Sequence, residues 1–159
     1  MLSDWLSGIL PDWVLQNRLI VMFCSAFLSA TLLPGNSEVV FSSFLWLDNL
    51  PFTPRGLAVF NLWLVATVGN SLGSMTSYAI GRMVVVPEWR RLSRRQQNGF
   101  ALVHRYGSVA LLFSWLPIIG DLLCVAGGWL RLHWLPSLLF ITLGKGLRYG
   151  LLVMLNSIL

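Results

Sequence analysis

Four charged residues, Glu38, Asp121, Lys145 and Arg148, sit inside long apolar runs of this sequence. A charge at the centre of a bilayer costs at least about 2.5–3.5 kcal/mol, so a chain that keeps four must organise its interior around them. Their formal charges sum to zero. Lys145 and Arg148 are three residues apart, which places them on one helix face, near the midpoint of the run Leu135–Leu159. Glu38 and Asp121 each follow a proline by four residues, Pro34 and Pro117.

The apolar runs are of two kinds. Leu57–Ile80 and Leu135–Leu159 are uninterrupted by proline-glycine breaks, and each is long enough to cross a hydrocarbon core of about 30 Å with some tilt. Leu19–Leu47 is broken by Pro34-Gly35-Asn36-Ser37-Glu38, and Gly107–Leu130 by Pro117-Ile118-Ile119-Gly120-Asp121. Proline removes a backbone donor and disfavours helix just before it, so each broken run is expected to form two half-helices around an unwound joint. Non-helical backbone at membrane depth is tolerated where it lines a cavity, which favours re-entrant hairpins over full crossings. The order of broken hairpin, polar joint and uninterrupted helix then occurs twice. The expected architecture is an all-α integral membrane protein: two broken, re-entrant hairpins plus two transmembrane helices arranged as an inverted repeat. A single domain covers 1–159, with an interfacial helix over 1–18, a first half over 19–80, a basic loop over 81–106 and a second half over 107–159.

Composition agrees with that architecture. Hydrophobic residues make up 56% of the chain and charged ones 11%, against about 25% charged in a soluble domain. This excludes a soluble enzyme and a disordered regulator. The net charge of +5 does not indicate nucleic acid, because six of the eleven basic residues fall between Arg82 and Arg105. Such clustering marks a cytoplasmic loop, so loop 82–105 is expected inside the cell. Re-entrant hairpins and full crossings both give seven Lys/Arg inside and two outside, so this rule fixes the loop without choosing between them. Met1–Asn17 carries Trp5 and Trp13 with Asp4 and Asp12 and no basic n-region, which reads as an interfacial segment rather than a cleavable leader.

Two readings of the four charges stay open. In one, Glu38 and Asp121 cap their half-helices, where free N–H groups and the helix dipole favour a carboxylate, and Lys145 and Arg148 neutralise them in fixed ion pairs. In the other, a carboxylate at membrane depth loads and releases a proton, while Lys145 or Arg148 attracts an anionic group. Cys24 and Cys124 lie in apolar runs without a partner at ligand spacing, and no metal or cofactor is expected. Gly69, Gly73 and Gly81 with Ser71, Ser74 and Ser77 form a small-residue face suited to helix packing. There is no Ser-His pairing, metal-ligand cluster or nucleotide loop, so no enzymatic activity is expected.

The stretch from Ser29 through Pro34-Gly35-Asn36-Ser37-Glu38 to Val40, then Gly69-Asn70-Ser71-Leu72-Gly73 through Gly81-Arg82, resembles the DedA superfamily (VTT or SNARE-associated domain). The second half, from Arg105-Tyr106-Gly107 through Pro117 and Asp121 to Lys145 and Arg148-Tyr149, is similar to its small YqaA branch. The resemblance implies a bacterial inner-membrane, multi-pass protein with two opposed re-entrant hairpins that moves lipids. Undecaprenyl phosphate is the bacterial cargo in that family, and phospholipids are the eukaryotic one. It assigns the acidic tip residue to Glu38 and the family motif to Gly69, Asn70, Gly73, Gly81 and Arg82. Typical members carry Arg-Phe-x-Pro-x-x-Arg at the second tip, whereas Ser114 and Gly120 stand at the two arginine positions here. Lys145 and Arg148 are the cations available to replace them.

The function expected is therefore that of an inner-membrane transporter or flippase-like protein for a lipid or small anionic solute, with proton coupling. The alternative is a non-transporting assembly factor whose intramembrane charges are structural. Membrane lipids and a second copy of the chain are the expected partners.

Overall fold

A computed structural model describes residues 17–31, 37–48, 55–84, 93–116 and 119–158. Among them all regular structure is helical. The helices are α1 (Arg18–Ser29), α2 (Ser37–Asp48), α3 (Arg55–Met83), α4 (Arg94–Tyr106), a 3₁₀ helix (Gly107–Trp115), α5 (Ile119–Trp129) and α6 (Trp134–Ile158). The interfacial segment expected over 1–18 lies almost wholly outside the described residues, as do Pro34, Gly35, Asn36 and Pro117 at the two expected joints.

Both broken runs divide into short helices. α1 and α2 have 12 residues each, about 18 Å at 1.5 Å per residue, roughly half the hydrocarbon thickness. The 3₁₀ helix has nine residues, but its steeper rise also spreads them over about 18 Å. Gly107, at φ 60, turns the chain between α4 and the 3₁₀ helix, in a backbone region open to glycine at little cost. The uninterrupted runs give the two helices long and apolar enough to cross a membrane, Gly56–Met83 and Trp134–Leu155.

Packing places α3 at the centre. α1 lies beside it and runs in the same direction. A Cβ on Gly69 would meet the Phe23 carbonyl oxygen at 2.8 Å, and one on Gly73 would meet that of Phe27 at 2.4 Å. The small-residue face of α3 is thus a close helix contact of the kind expected. Farther along, α3 meets α5, where Gly128 rests on the Tyr78 carbonyl. α6 runs against α3. Its Leu152 and Val153 join a cluster with Val59 and Leu62, while its Ile141 joins a second cluster that includes Met75.

The distribution of polarity is that of a chain dissolved in lipid. On α6, Leu135, Leu139, Leu143, Leu147, Leu151 and Leu155 recur every fourth residue and are all exposed. On α3, Thr67, Asn70, Ser71, Ser74 and Ser77 are buried. A soluble core helix would show the opposite arrangement. Most of the buried hydroxyls return their proton to the backbone, as Ser71 does to the Thr67 carbonyl at 2.6 Å.

One stretch departs from the sequence expectation. The basic loop over 81–106 contains α4, thirteen residues long. Val103 is fully buried in the second cluster and Gly99 faces Leu123, while Arg94, Arg95, His104 and Arg105 are exposed. The charge content masks an apolar stripe that becomes decisive only when α5 supplies a surface for it.

Candidate functional site

α6 carries the centre of the site. Lys145, Arg148 and Tyr149 lie within five residues and reach four different partners. Lys145 Nζ donates to Asp121 Oδ1 of α5 at 3.2 Å. Arg148 Nε donates to Glu38 Oε1 of α2 at 2.6 Å, and its Nη2 also reaches that oxygen. Tyr149 donates its hydroxyl proton to Ser37 Oγ at 3.2 Å and accepts from Asn70 Nδ2 at 2.8 Å. All four charges of the apolar runs are therefore paired, each cation of α6 with the first-turn carboxylate of a different short helix.

The two pairs differ in depth. The Lys145 side chain is 2% exposed and that of Arg148 19%. Their carboxylate partners are about half exposed, Asp121 at 44% and Glu38 at 45%. The cations are held inside and the acids stand at the surface of the helix bundle. Such pairing offsets the cost of burying the cations, and removing one partner strands the other.

The second joint explains why the cations come from α6. A Cβ on Gly120 would meet the Ser114 carbonyl oxygen at 2.3 Å, so Gly120 packs directly on the Ser114 backbone. Ser114 is buried, and its Oγ donates to the Ile141 carbonyl at 3.4 Å. The packing leaves no space for a long side chain at either position. Gly144 lies against Leu112 and Ser114, which brings the next residue of α6, Lys145, to Asp121.

Of the expected site residues, the structure gathers Glu38, Asp121, Lys145 and Arg148 around α6, with Ser37 and Asn70 joined through Tyr149. Gly69, Gly73 and Gly81 instead serve helix contact, and Arg82 is exposed in the last turn of α3. Sequence reasoning underweights Tyr149 and Trp63. Tyr149 is fully buried and packs on the Phe41 ring at 5.0 Å. Trp63 donates from Nε1 to the Gly146 carbonyl at 2.9 Å, pinning α3 to α6. A tyrosine next to an intramembrane arginine is the signal that marks the first, whereas nothing local marks the second.

Comparison with known proteins agrees on identity and is silent on activity. No family model and no solved structure matches the chain. It is 45% identical over 154 residues to an uncharacterized protein of Haemophilus influenzae, covering 97% of both chains. It is 47% identical over 131 residues to the inner membrane protein YqaA of Escherichia coli, covering 82% of this chain and 85% of the relative. The inner membrane protein YqaA of Shigella flexneri matches to the same extent. Identity at this level over this share of both chains is decisive: the chain belongs to the family of the inner membrane protein YqaA.

Proposed function

We propose that the protein moves a lipid or a small anionic solute across the bacterial inner membrane, with Glu38 and Asp121 exchanging protons and Lys145 and Arg148 neutralising the anion. The observation that carries this reading is the convergence of two half-exposed carboxylates from separate short helices on two buried cations of α6. Helix capping alone does not require that convergence. In the proposed topology α1–α2 and the 3₁₀ helix–α5 are re-entrant hairpins from opposite faces, forming an inverted repeat, and segment 82–105 is cytoplasmic. Support comes from the length of each short helix, about half a bilayer core, from α1 running with α3, and from α6 running against α3. An anion reaching Arg148 competes with Glu38 for the guanidinium, and the carboxylate it displaces is the group proposed to take up the proton. That exchange links anion binding to proton uptake.

Reconstituted flux over a panel of anionic lipids, with and without a pH gradient, is the direct test. Gradient-dependent movement that disappears in Arg148→Ala at normal accumulation is the expected result.

The closed state of both ion pairs favours a second reading, a non-transporting scaffold in which the charges only fix the two hairpins to α6. It requires no flux of any anion from the purified protein, with full accumulation dependent on both pairs.

A further inference from the structure

α4 folds with its charges on one side. Its apolar side packs on α5, where Val103 is fully buried and Gly99 faces Leu123. Arg94, Asn98, Ala101 and Arg105 follow one another at spacings of four, three and four, so they line the face opposite Val103. All four are exposed, as are Arg95 and His104 on the flanks of that line. The thirteen residues of α4 include no Asp or Glu. Among the described residues, Arg94, Arg95 and Arg105 have no carboxylate partner.

Helix stability does not account for these cations. Arg105 sits in the last turn, where the helix dipole favours positive charge, but Arg94 and Arg95 sit in the first turn, where it opposes them. Their counter-charge has to come from outside the chain. Arg94 and Arg105 are about 17 Å apart along the axis at 1.5 Å per residue, too far for one phosphate to bridge, so the counter-charge is an array. An apolar edge adjoins the basic face. Tyr106 is exposed directly after Arg105, whose guanidinium lies over its ring at 5.4 Å. Gly107 then turns the chain, and Val109 and Leu112, both exposed, stand in line on the 3₁₀ helix, where residues three apart eclipse. A soluble acidic partner supplies negative charge alone. A bilayer leaflet supplies anionic headgroups with hydrocarbon beside them.

We propose that the basic face of α4 is a docking surface for anionic phospholipid headgroups of the leaflet it lies against. Arg94 and Arg95 hold headgroups at one end and Arg105 at the other, while Tyr106, Val109 and Leu112 enter the acyl region alongside. The ligand is a phospholipid of net negative charge, of which phosphatidylglycerol is the simplest. A guanidinium suits it because its N–H groups meet two phosphate oxygens at once, and each basic side chain near an anionic surface adds to the attraction. The surface is separate from the ion pairs of α6 and does not depend on transport. It bears on them through packing: Gly99 of α4 contacts Leu123, two residues from Asp121. The helix that carries Asp121 is thus backed by one held at the bilayer surface.

The experiment uses the full chain in phosphatidylcholine nanodiscs, which offer both leaflets, so a topogenic role of the arginines is silent. Spin-labelled phosphatidylglycerol and spin-labelled phosphatidylcholine are added in turn, and the motionally restricted fraction gives the preference of the protein between them. Wild-type protein is expected to prefer phosphatidylglycerol. Arg94→Gln and Arg105→Gln are expected to weaken that preference about fivefold for each charge removed, with Tm near wild type because both side chains are exposed. Arg94→Lys with Arg105→Lys is expected to keep most of it, and about 1 M salt, with a Debye length of about 3 Å, to abolish it. Equal association of the two lipids with wild-type protein overturns the proposal, as does a preference that survives both Gln substitutions. A fall of the same size in Arg131→Gln, an exposed arginine outside α4, would assign the effect to net charge and overturn the docking surface. A second measurement places the surface directly. In a Cys24→Ser background, nitroxides at Asn98→Cys and Val109→Cys are expected at headgroup depth and in the hydrocarbon respectively. Both labels open to a water-soluble nickel chelate, with soluble poly-glutamate bound in place of lipid, would give the face to an acidic protein partner instead.

Discussion

Arg148 of α6 and Glu38 of α2 are 110 residues apart in sequence and meet in a charge-assisted hydrogen bond of 2.6 Å from Nε to Oε1. One turn earlier on the same helix, Lys145 holds Asp121. α6 therefore ties together two short helices that come from different halves of the chain. Bonds to ionised partners are the stronger class, and their loss is felt most where the surviving partner is least able to reach water.

That asymmetry orders the stability of variants. Asp121→Ala leaves Lys145 buried and uncompensated, and removing one member of a buried pair costs about 3–5 kcal/mol. Lys145→Met leaves Asp121, which is half exposed, and fills the space with an apolar chain. Thermal unfolding in detergent is expected to show a larger drop in Tm for Asp121→Ala than for Lys145→Met. The double variant is expected to recover most of the loss. An Asp121→Ala protein as stable as wild type would contradict the buried pairing.

Glu38→Gln separates capping from proton exchange. The amide keeps the size of the side chain and an acceptor oxygen for Arg148, so accumulation in the membrane is expected to be near normal. Gradient-driven flux is expected to fall to background. Full flux from normally accumulating Glu38→Gln would end the proton role.

Two glycines distinguish close packing from backbone conformation. A Cβ on Gly128 would sit 2.1 Å from the Tyr78 carbonyl oxygen, so Gly128→Ala must push α3 and α5 apart. Overpacking of this kind costs about 1–3 kcal/mol. Gly107→Ala meets no atom within 4 Å but carries φ 60, a strain of about 1–2 kcal/mol. Gly128→Ala is expected to disrupt the α3–α5 contact, seen as new protease sites in both helices. Gly107→Ala is expected to lower Tm without exposing that contact.

Arg131 reports topology. It is exposed in the turn between α5 and α6, and the re-entrant arrangement puts it on the cytoplasmic face, whereas full crossing puts it outside. In a background with Cys24→Ser, a cysteine in place of Arg131 is expected to resist an impermeant thiol reagent in intact cells and to react in inverted vesicles. The opposite pattern would replace the hairpins with crossings.

The sequence by itself determined that this chain lives in a membrane, where its helices break, and which four charges lie within its apolar runs. Each of these follows from local physics: long apolar runs need lipid, proline ends a helix, and a charge in an apolar run is costly wherever it lies. α3 and α6 are legible for the same reason, since an uninterrupted apolar run admits no other regular structure in a bilayer. The tertiary structure decided the pairing. Nothing along the chain says that Lys145 takes Asp121 and Arg148 takes Glu38, because the choice depends on which short helix packs on which side of α6. It also decided that Val103 turns a basic stretch into a helix, and that Gly120 packed on Ser114 shuts out a cation there. Above all it joined Ser37, Tyr149 and Asn70, three residues of ordinary type whose hydrogen bonds exist only because α2, α3 and α6 converge. The four charges showed that the interior must be organised around them, and the packing of α6 supplied the organisation.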